Sequence, residues 1–536
     1  MSHDEHAAGN RNLAPAAILA VTLLYGLAAL GGWPQFGTQQ IVAVQAEHGG
    51  AVAEHSGEQT HPQPQPERAE GPGGAKASLP FWTVIPFALL LGCIALLPLI
   101  PAVAPWWASN ANRFLVAVAL SLVALAYYAF FHRAPLEGHW PTHHTVEPST
   151  GALQPGFVRT VLENAILQEF IPFIVLLFSL YTISGGIRIA GNLPARPLTN
   201  AVFLSMGALA ASVVGTTGAA MILIRLVLEI NRERKHVAHT IVFFIFIVCN
   251  CGGCLLPLGD PPLFLGYLQG VPFTWTLGLW REWLFVNVAL IVIYVLLDWL
   301  WFYRHETKPD IDRDTTRRHH LRISGWELNA PLLLGVVLAV AFLDPSKALP
   351  GTSWHAWMYL REITQLGLVA ISVWFGSESV RRSNSFNYHA IVEVAAIFVG
   401  VFITMQPALQ ILSVHGGGLG IRSPAQFFWV TGALSGVLDN APTYLVFFQT
   451  AQVLPQPAGA VLVAGVEQLT LMGISLGAVF MGAMTYIGNG PNFMVRAIAE
   501  ESGVKMPSFF GYMVYSSLIL LPVLAVMTWL SSLFPY

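Results

Sequence analysis

The chain is dominated by apolar segments, most of which are long enough to cross a lipid bilayer as a helix. Only 10% of its 536 residues are charged, whereas a soluble domain carries roughly 25%. This pattern predicts an all-α polytopic membrane protein with membrane lipid as its main physical partner. The net charge of −3 argues against a nucleic-acid partner. The apolar segments lie at about residues 13–32, 80–104, 112–132, 165–187, 198–230, 237–270, 280–303, 328–346, 361–379, 388–413, 424–450, 469–500 and 508–535.

Polar stretches divide the chain into four parts, at residues 1–79, 80–303, 304–327 and 328–536. The first part begins with one apolar segment, which lacks a clear small-x-small cleavage site. We interpret it as an uncleaved helix, with a cleaved signal peptide as the alternative. The rest of that part is rich in Gly, His, Gln and Pro, which predicts a disordered loop to about residue 78. The third part is a basic linker between two halves.

Each half contains one run of helix-breaking residues within its apolar pattern. Residues 256–262 read Leu-Pro-Leu-Gly-Asp-Pro-Pro, and residues 486–492 read Tyr-Ile-Gly-Asn-Gly-Pro-Asn. Proline removes a backbone donor and glycine lowers helix propensity, so each run should unwind a membrane helix. Unwound backbone at that depth is tolerated only where protein or a polar cavity covers it. The two runs therefore predict a transport site.

The halves also match in spacing. Glu169 precedes Gly215 by 46 positions, and Glu393 precedes Asp439 by the same interval (215 − 169 = 439 − 393). Residues 215–219 therefore align without a gap on residues 439–443. Paired helix breaks at corresponding places of two halves are typical of transporters built from internal repeats.

The distribution of basic residues predicts the topology. Basic residues flank both ends of segment 198–230, so both ends should be cytoplasmic and the segment should turn back inside the membrane near Gly215. Segment 424–450 has no basic cluster at either end, and we expect it to enter from the outside with its tip at residues 439–442. Together, the segments predict about eleven transmembrane helices plus two re-entrant hairpins, arranged in two inverted repeats. The amino terminus is then cytoplasmic and the carboxyl terminus is outside.

Acidic side chains at membrane depth are costly and point to function. Asp260 at a helix break and Asp439 at a hairpin tip can hold sodium or take a proton, although each can instead cap exposed backbone donors. Glu169 and Glu393 lie near the starts of their segments, where a scaffold role competes with proton carriage. Candidate neutral ligands and the glycines beside them are Thr216, Thr217, Asn440, Thr443, Asn489, Asn492, Gly259 and Gly488. Each polar side chain in this set can instead form hydrogen bonds with the backbone groups that the helix breaks leave unpaired.

Other chemistry is poorly supported by the sequence. Cys249, Cys251 and Cys254 match no zinc or redox pattern, so we expect no metal centre and no cofactor beyond transported ions. The Gly-Asp pair at 259–260 lacks the preceding glycine of a G-x-G-D protease, and H-E-x-x-H and P-loop motifs are absent from the sequence. These observations disfavour an enzyme or an ATP-driven pump.

The predicted hairpins, the two breaks and the Asp-Asn-Ala-Pro-Thr tip at 439–443 resemble the ion transporter superfamily. Residues 217–225, 258–267 and 439–444 are similar to bacterial proteins described as sodium/proton antiporters or citrate carriers. The resemblance covers about residues 80–535. It implies a scaffold, an elevator-like transport unit of hairpins and broken helices that hold ions, a bacterial inner-membrane location with the carboxyl terminus periplasmic, and a homodimer. The Ser-Asn-Thr tips of dicarboxylate symporters are not reproduced.

Two transport functions compete within this architecture. The first is a sodium (or other cation)/proton antiporter, which the site carboxylates and the missing carboxylate-binding tips favour. The alternative is a sodium- or proton-coupled carrier of citrate or a related organic anion. For that alternative, Arg225 and Arg496 can bind a substrate carboxylate, or they can extend to the cytoplasmic surface.

Overall fold

The structure is a computed structural model, and it describes residues 13–54, 79–191, 193–306, 321–457 and 459–533. Within these residues the chain is overwhelmingly helical, which confirms an all-α protein. Strands occur as short antiparallel pairs, of which two close local loops and one joins segments far apart in the chain. The pairs are Leu136–Gly138 with His144–Val146, Arg188–Ala190 with Arg322–Ser324, and Leu462–Val463 with Val466–Glu467.

The first half of the chain contains outer helices of varied length, one helical hairpin and one broken helix. The outer α-helices are Leu13–Leu30, Trp33–Glu54, Ile85–Leu96, Ala104–Trp107, Asn110–Phe130, Pro155–Leu162, Ile171–Ser184 and Trp280–Leu297. The first hairpin consists of Pro197–Val214 and Thr216–Ile230, and the first broken helix consists of Ala238–Ile247, the 3-10 turn Cys251–Cys254 and Pro261–Leu268.

The second half repeats that order. Its outer α-helices are Trp326–Phe342, Leu360–Phe375, Glu378–Ser383, His389–Thr404, Gln406–His415, Phe509–Tyr515 and Leu521–Leu533. The second hairpin consists of Pro424–Ser435 and Asn440–Gln452, and the second broken helix consists of Gln468–Met481, the 3-10 turn Gly482–Met484 and Gly490–Glu501. Pi-helical segments Glu163–Phe170, Asp298–Phe302 and Ser516–Leu520 lie within long helices, and further 3-10 turns are Phe81–Val84, Leu97–Leu99, Trp275–Leu279, Tyr303–His305 and Gly416–Leu419.

Six helices in the described part of the chain are long and apolar enough to cross a membrane, and eight are if each of two bent pairs counts as one span. This confirms a multi-pass membrane protein. The number is below the predicted eleven because several apolar helices, such as Ala238–Cys254, Trp326–Phe342 and Gln468–Met484, have 17 residues or fewer.

The amino-terminal region differs from the sequence prediction. Helix Leu13–Leu30 agrees with the expected apolar helix, but residues 33–54, predicted as disordered loop, form a second helix at 68° to the first. Its Thr38 hydroxyl is 3.1 Å from the Ala356 carbonyl oxygen and accepts a bond from the Met358 N–H at 2.9 Å. These contacts hold the helix against the loop before helix Leu360–Phe375. The remainder of the predicted loop, residues 55–78, lies outside the described residues.

Gly215 forms the tip of the first hairpin, as the sequence predicted. Its φ of +80° is unfavourable for residues with a side chain. The two limbs then pack closely: a Cβ at Gly207 on one limb would lie 3.1 Å from Leu223 on the other. A turn of this kind brings Thr216, the first residue of the second limb, to the buried tip.

The two halves of the chain pack crosswise. Helix Pro261–Leu268 of the first half packs against Asn440–Gln452 of the second hairpin, and a Cβ at Gly266 would overlap the Tyr444 hydroxyl. Helix Gly490–Glu501 of the second half packs against Thr216–Ile230 of the first hairpin. The second piece of each broken helix therefore packs against the hairpin of the other half, whereas the first piece packs against the hairpin of its own half. Both hairpin tips lie near both breaks.

Candidate transport site

Asp260 lies at the centre of this crosswise arrangement. It immediately precedes helix Pro261–Leu268, where proline is well tolerated because the first helical N–H groups have no intrahelical acceptor. Its backbone is extended (φ −143°, ψ 144°) and its side chain caps no N–H of its own helix. The carboxylate is 1% exposed and is available for groups from other elements.

Three neutral side chains from three elements donate hydrogen bonds to this carboxylate. Thr216 Oγ1 at the first hairpin tip and Asn489 Nδ2 at the second break each lie 2.9 Å from Asp260 Oδ1. Asn440 Nδ2 at the second hairpin tip lies 2.6 Å from Asp260 Oδ2. Thr216 and Asn440 are the residues that the 46-position spacing aligned with each other. The structure brings them to opposite oxygens of one carboxylate.

Glycines permit this close approach at both breaks. The Gly259 carbonyl accepts the Thr216 N–H at 2.8 Å, and a Cβ at Gly259 would overlap the Gly253 carbonyl oxygen. At the second break, a Cβ at Gly488 would lie 2.5 Å from the Gly482 carbonyl oxygen. Side chains at either position would collide with backbone, so Gly259 and Gly488 shape the site without contributing polar side-chain atoms.

A chain of buried amides extends behind Asn489. Asn489 Nδ2 also lies 3.0 Å from the Cys249 carbonyl oxygen and 3.3 Å from Asn250 Oδ1. Asn250 Nδ2 donates to Asn492 Oδ1 at 2.8 Å, and Asn492 donates to the Gly482 and Thr485 carbonyls. Sequence reasoning missed Asn250, although an amide in an otherwise apolar run was a usable signal. The three cysteines near it are buried and free, as packing residues would be.

Asn440 has an unused acceptor. Its Oδ1 is buried and has no hydrogen-bond partner among the described residues, which is uncommon for a buried polar atom. Rotation of the amide by about 180° would exchange Nδ2 and Oδ1 and point a carbonyl oxygen at Asp260. Together with the carboxylate and the Thr216 hydroxyl, this would form the all-oxygen set that hard cations prefer.

The other sequence candidates have more local roles. Asp439 Oδ1 accepts the Ala441 N–H at 3.1 Å and so caps the second limb of its hairpin. This capping role is the alternative to ion binding that the sequence left open for Asp439. Thr443 is buried and donates to the Asp439 carbonyl at 2.9 Å, and Thr217 is half-buried next to the first tip.

Glu169 and Glu393 lie on the outer helices. Glu169 is buried, and its Oε2 is 3.5 Å from Gln406 Nε2. Glu393 Oε2 forms an ion pair with Arg113 Nη1 at 2.7 Å, joining helices His389–Thr404 and Asn110–Phe130. Arg496 pairs with Glu500 on its own helix at 2.9 Å. These contacts supply each group with a partner away from Asp260.

Comparison with known proteins identifies the family. A family model described as "Putative citrate transport" matches residues 76–532. The chain belongs to this citrate-transport family. The match covers most of the chain and confirms the resemblance to ion and citrate transporters, and it favours a carrier over an enzyme. No curated protein matches the chain.

Proposed function

We propose that this protein is a secondary carrier of citrate or a related organic anion, coupled to sodium or protons, with Asp260 as the binding group for the coupling cation. The observation that carries the proposal is the convergence of both hairpin tips and the second break on one buried carboxylate. Membership of the citrate-transport family supports the substrate class.

The chemistry of coupling follows from the charge of Asp260. An ionised carboxylate removed from water is costly unless a cation or strong hydrogen bonds compensate it. Thr216, Asn440 and Asn489 compensate it in part. A sodium ion bound by Asp260 and the neighbouring neutral oxygens, or a proton on the carboxyl group, removes the remaining charge. In this proposal the hairpins can move only when that charge is neutralised.

The moving unit consists of the two hairpins and the two broken helices. Their crosswise packing supports this assignment because the four elements contact one another through the site. The remaining helices form the scaffold, and alternating access follows an elevator-type shift of the unit. We also propose two inverted repeats, residues 80–303 and 328–536, joined by the linker 304–327. The protein is a homodimer in the bacterial inner membrane, with its amino terminus cytoplasmic and its carboxyl terminus periplasmic.

A second candidate function is sodium/proton antiport without an organic anion. One observation favours it: within the described residues, the side chains that hydrogen-bond to Asp260 are all neutral. No Arg, Lys or His in that set offers the charged, bidentate contact that a citrate carboxylate usually receives.

Transport by the purified protein in liposomes separates the two functions. We expect an inward sodium or proton gradient to drive uptake of labelled citrate. We expect Asp260→Asn to abolish gradient-driven uptake, whereas Glu501→Gln, a change of one exposed acid at a helix end, preserves it. Sodium-driven proton flux in the absence of organic anions, with no citrate uptake, would replace the carrier proposal with antiport. Gradient-driven uptake by Asp260→Asn equal to wild type would remove Asp260 from the coupling site.

A further inference from the structure

A polar cavity lies away from Asp260, at the far ends of two helices that begin beside it. It has a volume of about 730 Å³ and is bounded by the loop 231–237, residues 502–505 and parts of the adjoining helices. We call it the basic pocket. Its basic lining residues are Arg225, Arg232, Arg234, Lys235, His236, His239 and Lys505.

Arg234 is neutralised by buried acids. Its guanidinium forms two hydrogen bonds with the Asp298 carboxylate, at 2.9 and 2.5 Å, and its Nε is 3.7 Å from Glu306 Oε1. Glu306 also accepts the N–H groups of Lys235 and His236, at 3.1 and 3.0 Å. This network fixes one wall of the basic pocket, and the Lys235 ammonium has no ion-pair partner among the described residues.

Four cations of the basic pocket have no acidic partner within ion-pair distance in the described part of the chain: Arg225, Arg232, Lys235 and Lys505. The C-terminal ends of two helices reach this region, and each carries about −0.5 charge. Glu229 adds one negative charge. The start of helix Ala238–Ile247 contributes about +0.5. The network of Arg234 with Asp298 and Glu306 adds a further net charge of about −1. The balance is an excess of about 1.5 positive charges, so local capping of the helices does not account for it.

The helices relate the basic pocket to the site. Helix Thr216–Ile230 begins at a residue bonded to Asp260 and has 15 residues, which corresponds to about 22 Å. Helix Gly490–Glu501 begins beside Asn489 and has 12 residues, or about 18 Å. Both helices have their far ends at the basic pocket. The pocket therefore lies on the order of 20 Å from Asp260, between the elements proposed to move and the scaffold residues Phe302 and Tyr515.

We propose that the basic pocket binds a free di- or tricarboxylate anion and holds it at one mouth of the transport path. A site lined by one sign of charge raises the local concentration of the opposite ion. Four cations that line one pocket match an anion of two or three charges better than a monocarboxylate. The assignment of a carboxylate rests on the proposed function, whereas the preference for a multivalent anion rests on the pocket alone.

Cysteine protection tests this assignment without requiring transport. Ser502 is exposed and lines the basic pocket, so Ser502→Cys in a Cys93→Ala background provides a thiol reporter; the three remaining cysteines are buried. We expect citrate to slow labelling by an anionic maleimide about tenfold more than acetate does at equal ionic strength. The Lys235→Gln/Lys505→Gln double variant should abolish this difference. Arg422→Gln, a change of an exposed basic residue elsewhere, should not affect it.

The outcomes are distinguishable from failure of the carrier proposal. If citrate still protects the thiol from labelling in Asp260→Asn, the anion binds independently of the coupling site, even when transport is lost. Equal protection by citrate and acetate would overturn the proposal, as would protection unchanged in the double variant. Protection that requires phosphatidylglycerol in nanodiscs, with no effect of citrate in detergent, would assign the pocket to a lipid headgroup instead. Gel-filtration profiles matching wild type show that each variant is folded.

Discussion

Asp260→Asn should separate folding from ion coupling. The amide preserves the size of the carboxylate, and its Oδ1 can still accept from Thr216 and Asn489. Its Nδ2 would face Asn440 Nδ2, now 2.6 Å from Asp260 Oδ2. Rotation of the Asn440 amide would present its partnerless Oδ1 and restore a hydrogen bond. We expect the free energy of unfolding to change by no more than about 1 kcal/mol.

Asp260→Leu should be far more damaging. It removes the acceptors of Thr216 Oγ1 and Asn440 Nδ2, while Asn489 keeps the Cys249 carbonyl and Asn250. Each donor left buried without a partner costs about 1–3 kcal/mol, so the total is about 2–6 kcal/mol. A typical protein has about 5–15 kcal/mol of stability. We therefore expect little folded protein.

Thermal unfolding of purified protein, scanned against sodium and pH, measures both effects. A ligand that binds only the folded state adds about 1.4 kcal/mol for each tenfold rise in concentration above its Kd. The wild type should respond in this way to sodium, to protons or to both, and Asp260→Asn to neither. A sodium or pH response of wild-type size in Asp260→Asn would refute the assignment of Asp260 as the cation ligand. Wild-type yield and melting temperature in Asp260→Leu would refute the hydrogen-bond reasoning.

Three further changes test individual contacts. Gly488→Ala should prevent folding because its Cβ would lie 2.5 Å from the Gly482 carbonyl oxygen. The control Gly490→Ala, with nothing within 4 Å of its Cβ, should express as wild type. Equal yields of the two variants would disprove the close approach at Gly488. Thr216→Val should weaken sodium binding about tenfold, equivalent to about 1.4 kcal/mol, because it removes the hydroxyl oxygen that the proposed site offers to the cation. Thr216→Ser keeps the hydroxyl and the affinity, as equilibrium titration would measure. Glu393→Gln should lower the free energy of unfolding by about 1 kcal/mol because the ion pair with Arg113 is lost. The pH dependence of uptake should remain unchanged. Loss of that pH dependence would instead identify Glu393 as a proton carrier.

The sequence predicted the backbone of the site well because chain-breaking residues act locally. Gly215 had to turn the first hairpin, and the 46-position spacing aligned Thr216 with Asn440, which both donate to Asp260. The amino-acid composition was also sufficient to predict a membrane protein. These inferences depend on short-range rules, namely residue conformation, helix interruption and hydropathy, which tertiary packing did not override.

The partners of the polar groups were much less predictable. A carboxylate at a helix start can cap its own backbone or face a distant element, and only the fold decides between these. Asp439 does the first and Asp260 the second. Asn250 was missed because its partners, Asn489 and Asn492, are about 240 residues away in the chain. Helix Trp33–Glu54 was missed because its stability comes from the loop at Ala356 and Met358 rather than from its composition.

The asymmetry between the two breaks is a chemical requirement of a shared site. Asp260 and Asn489 occupy the same place in the two break sequences. Because Asn489 is a neutral donor, the pair carries only the single charge of the Asp260 carboxylate. Asn489→Asp would place two carboxylates about 2.9 Å apart, with a repulsion of about 6 kcal/mol at an effective dielectric constant of 20. One of them must then hold a proton in the folded state.

The unfolded chain would carry no such proton at neutral pH, so the folded variant binds more protons and loses stability as pH rises. The slope approaches about 1.4 kcal/mol per pH unit for one proton. We expect the melting temperature of Asn489→Asp to fall with rising pH more steeply than that of wild type. The exchanged pair, Asp260→Asn with Asn489→Asp, restores one acid and one amide and should remove the added slope. A slope that persists in the exchanged variant would show that the repulsion does not arise between these two positions, because only one carboxylate would remain between the breaks.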